Sequence, residues 1–297
     1  MYVTHIAARD SLTVLMAYAA ATDRVKLGTG VLPIYSRTPA ATAQQAVTID
    51  EYSGGRMVLG LGVSHKVTVE NWYGAKLDRP LEAMREYVAI LRACFAGEDP
   101  PEGELFHTRF RFMGLEPRAD MPIYVAGLSP RMLRLAGEIG DGVTLWLCNP
   151  DYIRDVVVPE VREGRRRAGK ELDGFDIVAA VPAAVTDDRK AAYETMRGDL
   201  VTYWSLPFYR AMIERSGFAE NIASFDAGME EQAMDQALAA ISDDFLDALT
   251  AIGSPEDVRE GVARYASAGA TSPCVGPVPR TDFEAALEAA APLPAKA

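Results

Sequence analysis

The stretch LGTGVLPIYSRTP, Leu27 to Pro39, decides how the chain is read. It begins as a buried strand after Val25 and ends on Thr38-Pro39, a combination that caps and opens a helix. Two glycines, Gly28 and Gly30, stand inside the strand where side chains should pack. A strand glycine marks a bulge or a place where something comes close to the backbone. The question is what these bare positions make room for.

The same strand-then-helix rhythm recurs outward from this stretch. Apolar runs follow at MVLGLGV (57–63), PIYVAG (122–127), GVTLWLC (142–148), FDIVAAV (175–181) and SPCVG (272–276), with longer amphipathic segments between them. The punctuation is that of helices: Thr38-Pro39 to Gly54-Gly55, Ser129-Pro130 to Gly140, a start at Asn149-Pro150, and Ser254-Pro255-Glu256-Asp257 to Gly269. After Asp78, the apolar residues Leu81, Met84, Val88, Leu91 and Phe95 share one helical face. Strands that are apolar at nearly every position are buried on both faces, as in a parallel sheet covered by helices. The expectation is an α/β fold, a TIM (β/α)8-type barrel with insertions, forming one domain over residues 1–297. MYVTHI supplies a further strand stub, followed by a helix over Ser11 to Ala21, and the count still falls one β-α unit short at the front. Residues 64–79 and 97–121 read as excursions, and roughly 188–250 as a long helical interruption.

Composition removes several classes of function. Of 297 residues, 49% are hydrophobic and 24% charged, an ordinary globular balance, and the net charge of −12 argues against nucleic acid as a partner. Cys94, Cys148 and Cys274 are too few and too scattered for a disulfide framework or a zinc site, and read as reduced, mostly buried thiols. No basic-then-apolar leader and no 18-residue apolar run is present, so a cytoplasmic protein without metal or membrane partner is expected.

Four segments carry a resemblance: AATDRVKLGTGV, RTPAATAQQAVTIDEYSGGRMVLGLGVS, MPIYVAGLSPRMLRLAGEIGDGVTLWL and GSPEDVREGVARYASAGA. In this order, across about residues 2–290, the chain resembles the bacterial luciferase-like superfamily, and within it the branch that uses the deazaflavin coenzyme F420. The resemblance implies a barrel oxidoreductase with a flavin or deazaflavin across the C-terminal mouth, acting by hydride transfer on a small organic substrate. It implies a non-prolyl cis peptide at Gly30-Val31, with Gly28, Gly30, Val31 and Ser64 near the ring. It assigns the cofactor phosphate to Ala126-Gly127-Leu128-Ser129 with Arg131, a strand running into a helix N-terminus whose free N–H groups can receive an anion. His5 aligns with a family histidine beside the ring. His65 stands where some deazaflavin dehydrogenases carry a glutamate acid, a departure that reopens the choice of proton donor.

On the residues alone, His5 and His65 fall at strand C-terminal ends, the face where barrel enzymes keep their chemistry, and imidazoles exchange protons near neutral pH. Tyr35, Ser64, Trp72, Trp146 and Tyr203 are weaker candidates for the wall of a substrate cavity. His107 and the run Arg162 to Lys170 read as structural and solvated. Two alternatives stay open: FMN with monooxygenation, and a degenerate barrel that binds a flavin-type ligand without turning over. Because an unclosed barrel exposes strand edges, association into a homodimer is also expected.

Overall fold

Strand and helix alternate as the punctuation implies. The structure, a computed structural model, describes residues 1–291. In chain order it contains β1 (Tyr2–Val3), α1 (Ser11–Ala21), β2 (Leu27–Thr29), β3 (Leu32–Pro33), α2 (Pro39–Tyr52), β4 (Met57–Gly62), α3 (Pro80–Ala96), β5 (Ile123–Ala126), α4 (Pro130–Ile139), β6 (Gly142–Leu145), α5 (Pro150–Tyr152), α6 (Val158–Arg167) and β7 (Asp176–Val185). Then come α7 (Arg189–Trp204), α8 (Pro207–Ile213), α9 (Ala219–Glu230), α10 (Met234–Ala240), α11 (Asp243–Leu249), β8 (Ala251–Gly253), α12 (Pro255–Ser267), β9 (Ser272–Pro277) and α13 (Phe283–Ala290). The expected caps are in place. Thr38 accepts the Ala41 amide, Asn149 that of Tyr152, and Ser254 closes a reciprocal capping box with Asp257.

The contacts gather the chain into two compact units. The first comprises Met1–Gly127, Arg131–Thr144 and Val161–Phe175. Its strands pair in parallel in the order β1-β2-β4-β5-β6, with β3 also on β4; Tyr2 lies opposite Gly28, Leu27 opposite Met57 and Leu59 opposite Ile123. Leu27, Leu32, Met57, Leu59, Leu61, Ile123 and Val125 are sealed from solvent, as are Met84 and Leu91 on α3. The second unit comprises Leu128–Pro130, Leu145–Glu160 and the residues from Asp176 on. There β7 pairs in parallel with β9 from Val178 to Ala183 and with β8 from Ala183 to Val185. The helical region α7 to α11 has its own centre in Trp204, which is fully buried with its ring 5.6 Å from Phe225 and 5.1 Å from Phe245.

Three elements differ from the sequence reading. The single strand expected over 25–31 is two short ones, β2 and β3, separated at Gly30-Val31. The run GVTLWLC is a strand only to Leu145, since Leu147 turns the chain with φ +61. The β8 strand, three residues long, lies just beyond the long helical region, where no β-branched run announces it.

Two polar devices fix the first unit. Arg56 reaches across to the end of α1 and donates to the carbonyls of Ala19, Thr22 and Val25, a cation satisfying carbonyls that a helix end leaves open. Thr29, fully buried, both donates to the Gly60 carbonyl at 2.6 Å and accepts from the Gly60 amide at 2.9 Å. This grip needs Gly60. A methyl group there would lie 2.0 Å from the Thr29 carbonyl oxygen, and backbone cannot move aside as a side chain can. Gly60→Ala should therefore lose about 3 kcal/mol or more of stability in urea denaturation. Gly198→Ala, in the middle of α7 with open space around it, should instead gain about 0.5–1 kcal/mol. Equal effects from the two substitutions would contradict this packing.

Candidate functional site

The first unit contains a pocket of about 420 Å³ walled by His5, Ile6, Asp10, Arg37, Trp72 and Tyr73 among others. Its chemistry starts from one carboxylate. Asp10 caps α1, accepting from the Thr13 amide at 2.8 Å and the Thr13 hydroxyl at 2.9 Å, and its second oxygen pairs with the Arg37 guanidinium. Burial alone would raise the Asp10 carboxyl, but the bonds from Thr13 and Arg37 outweigh it and hold the group below the usual carboxylate range. His5 leans on the same helix start. Its Nδ1 accepts the Ser11 amide at 3.2 Å, with the Ser11 hydroxyl at 3.3 Å and the Asp10 carboxylate at 3.6 Å. Burial, and then the charge of Arg37, lower the His5 pKa; Asp10 opposes them and loses.

A second segment brings the aromatic wall. Ser64 turns the chain after β4 with φ +61, and a wide helical turn over Thr68–Trp72 follows, of the kind that recurs at functional sites. The Val69 amide donates to the His65 carbonyl at 2.9 Å, tying this turn to the histidine before it. Trp72 and Ile6 reach the pocket 54% and 56% exposed, two large apolar faces left for a ligand to cover. His65 is half-buried and its pKa is lowered by that burial, but its side chain is not part of this pocket's wall. The pocket thus joins His5 with Trp72, and neither His65 nor Ser64 is part of its wall.

The opening glycines have a different neighbour from the one expected. A methyl group on Gly28 would lie 2.4 Å from the Tyr2 ring, and one on Gly30 would lie 3.1 Å from Tyr2 Cβ. Their missing side chains make room for Tyr2 of the adjoining strand. The Gly30-Val31 peptide is cis, as the resemblance implies. Val31 then packs over Gly62, where a methyl group would come within 2.6 Å of its Cγ2.

At the end of β5, Ala126 and the buried Gly127 lead toward α4. Here too the glycine serves packing, since a methyl on Gly127 would press at 3.3 Å on the Leu133 amide nitrogen. Arg131 is exposed on the first turn of α4. In the second unit, the Leu128 carbonyl accepts the Tyr152 hydroxyl at 2.6 Å, and Ser129 precedes Pro130 there. The Trp146 and Tyr203 rings pair in that unit at 6.1 Å. Tyr35 donates to the Asp78 carbonyl and burial pushes its pKa up to about 12, a structural role. Arg166 and Arg167 share Glu163 on an exposed face, as expected of a solvated run. Cys94 and Cys148 are buried free thiols. Among the described residues there is no metal-ligand cluster and no helix long and apolar enough to cross a membrane.

Asp10, Ser11, Arg37 and Thr29 were not singled out from the sequence. Asp10 had a local signal, the residue before a helix predicted to begin at Ser11. Arg37 had none, because its partner lies 27 residues away.

The family model for luciferase-like monooxygenases matches residues 1–272. A 5,10-methylenetetrahydromethanopterin reductase of Archaeoglobus fulgidus is 33% identical over 282 residues, covering 92% of this chain and 82% of that protein. The solved structure of the coenzyme F420-dependent tetrahydromethanopterin reductase from Methanopyrus kandleri superposes with TM-score 0.81 at 25% identity, covering 97% of this chain and 88% of the other. An F420-dependent secondary alcohol dehydrogenase, solved with an F420-acetone adduct, shares the fold with TM-score 0.77 at 19% identity, over 98% and 90% of the two chains. The fold is of the α/β, TIM-barrel type that the alternation of elements led us to expect.

The two half-buried imidazoles contribute to the acid side of the stability profile. Both have folded-state pKa values below 6.5, so the unfolded chain binds more protons once pH falls through that value. Their contribution is therefore complete above about pH 6.5 and is lost as pH drops toward the folded pKa values. The urea midpoint should fall between pH 7 and pH 5.5, and should fall less steeply in the His5→Asn, His65→Asn double variant. An unchanged slope in that variant would count against burial of these groups as the cause.

Proposed function

The chain belongs to the luciferase-like monooxygenase family, and from that premise we propose that it is an oxidoreductase that works with coenzyme F420 on a small organic substrate. The observation that carries this reading is the likeness to methylenetetrahydromethanopterin reductases, which runs over nearly the whole chain in both sequence and fold.

The residues of the first unit fit a flat, partly apolar, anionic cofactor. The pocket volume of about 420 Å³ lies within the roughly 300–1,000 Å³ usual for small-molecule sites. Ile6 and Trp72 offer exposed apolar faces to a ring system, and Arg37 with Asp10 braces the wall behind His5. Gly127 and the exposed Arg131, at the positions the resemblance assigns to the cofactor phosphate, would contribute close backbone approach and positive charge. When bound, coenzyme F420 supplies hydride chemistry, the part of the reaction that side chains cannot provide. The chain's own share is to bind, to orient, and to exclude water: Trp72 covers an apolar face, and His5 holds a proton at the wall of the pocket.

FMN is the second reading, supported by the monooxygenase description of the family model itself. Titration separates the two. Coenzyme F420 should quench the fluorescence of Trp72 and bind at least tenfold more tightly than FMN, about 1.4 kcal/mol. Trp72→Phe should remove most of that quenching. Tighter binding of FMN, or no binding of either, would reject the F420 reading.

A further inference from the structure

We infer that His5 is a fixed hydrogen-bond donor to the pocket's ligand and not a proton exchanger: the Ser11 amide occupies Nδ1, so the imidazole presents Nε2–H to an acceptor oxygen, of the carbonyl or alkoxide class. This deepens the proposed function and rests on that reading for the identity of the ligand, though not for the state of the ring.

The argument is one of donors and acceptors. A backbone N–H can only donate, so the nitrogen it meets at 3.2 Å must accept, and a neutral imidazole that accepts at Nδ1 carries its proton at Nε2. Protonation of the ring would turn Nδ1 into a second donor facing the Ser11 amide, and would break that bond. Ser11 is the first residue of α1, an eleven-residue helix, so the positive end of the helix dipole also opposes a charged ring.

The charged groups around the ring act in the same direction. Asp10, at 3.6 Å, could stabilise an imidazolium, but its carboxylate is already committed to Arg37 and to the Thr13 amide and hydroxyl. Arg37 itself repels a charged His5, and Arg9, the other cation in the pocket wall, adds no acceptor. Ser11 is thus a positioning residue: it sets the tautomer of the imidazole that meets the ligand. His5 keeps its place beside the ligand that the resemblance gave it, while proton exchange passes to another group.

The experiment uses the apoprotein and needs no cofactor. The sequence holds only three histidines, so long-range proton–nitrogen NMR spectra can be assigned with His5→Asn as reference. At pH 7, His5 should show the Nε2–H tautomer and stay neutral as pH is lowered through 6.5. The informative variant is Ser11→Pro. Proline is tolerated at the first helical position, and Asp10 already has the extended backbone (φ −64, ψ 121) that the residue before proline requires. It should release Nδ1, mix the tautomers and move the His5 pKa up toward 6.5. Ser11→Ala keeps the amide and should leave both unchanged, which covers the case in which the proline variant folds poorly. An Nδ1–H or charged ring in the parent, or a tautomer shift in Ser11→Ala, would overturn the inference. Failure of coenzyme F420 to bind, with the tautomer as expected, would instead overturn the proposed function and leave the ring assignment standing.

Discussion

In the first unit the backbones of Thr29 and Gly60 come so close that no side chain fits on Gly60, and the course of the strands beside the pocket is built on that contact. The Thr29 hydroxyl is bonded to both the carbonyl and the amide of Gly60, while its own carbonyl occupies the space a side chain on Gly60 would fill. Before that point β2 pairs with β4 through Leu27 and Gly28. The chain steps out at Gly30-Val31 and resumes as β3, whose Leu32 and Pro33 lie opposite Leu61 and Gly62. Glycine therefore recurs on both partners wherever a neighbouring segment presses on the strand. At Gly60 the neighbour is a carbonyl, at Gly62 the Val31 side chain, and at Gly28 and Gly30 the Tyr2 side chain.

This arrangement carries the N-terminal segment into place. Tyr2 lies over Gly28 and Gly30, and Tyr2 and Val3 pair with Gly28 and Thr29. The loop after Val3 then runs from His5 to Asp10 along the pocket before α1 begins. Arg56 secures the far end of the same helix through the carbonyls of Ala19 and Thr22. One helix is thus capped at its start by Asp10, which also organises the pocket, and at its end by an arginine from the SGGR turn. A resemblance that rests on SGGRMVLGLGVS is in physical terms a resemblance in how α1, β2 and β4 are locked together.

What could be read in the sequence was what depends on neighbours in the chain. Thr38, Asn149 and Ser254 act on amides three residues away, and their helices begin where the residue types imply. The strand positions of MVLGLG follow from uniform burial. The pairing of Arg37 with Asp10 and the filling of Gly28 by Tyr2 were not legible, because each joins segments more than twenty residues apart through a single side chain. The glycines announced that something came close without saying what. His5 was found as a residue type at a strand end, but its tautomer depends on an amide that the sequence does not orient.

The electrostatic balance at His5 shows how little separates two functions of the same residue. A carboxylate 3.6 Å from an imidazolium would stabilise it by roughly 5 kcal/mol at an effective dielectric constant near 20, enough to make the ring a cation at neutral pH were nothing else present. Arg37 takes hold of that carboxylate and adds its own positive charge, so its repulsion exceeds the attraction of Asp10, and burial then decides for the neutral ring. Removing Arg37 would leave the Asp10 carboxylate to Thr13 alone and raise the His5 pKa. The guanidinium therefore does more than brace a loop: with the Ser11 amide, it determines which half of imidazole chemistry the pocket can use.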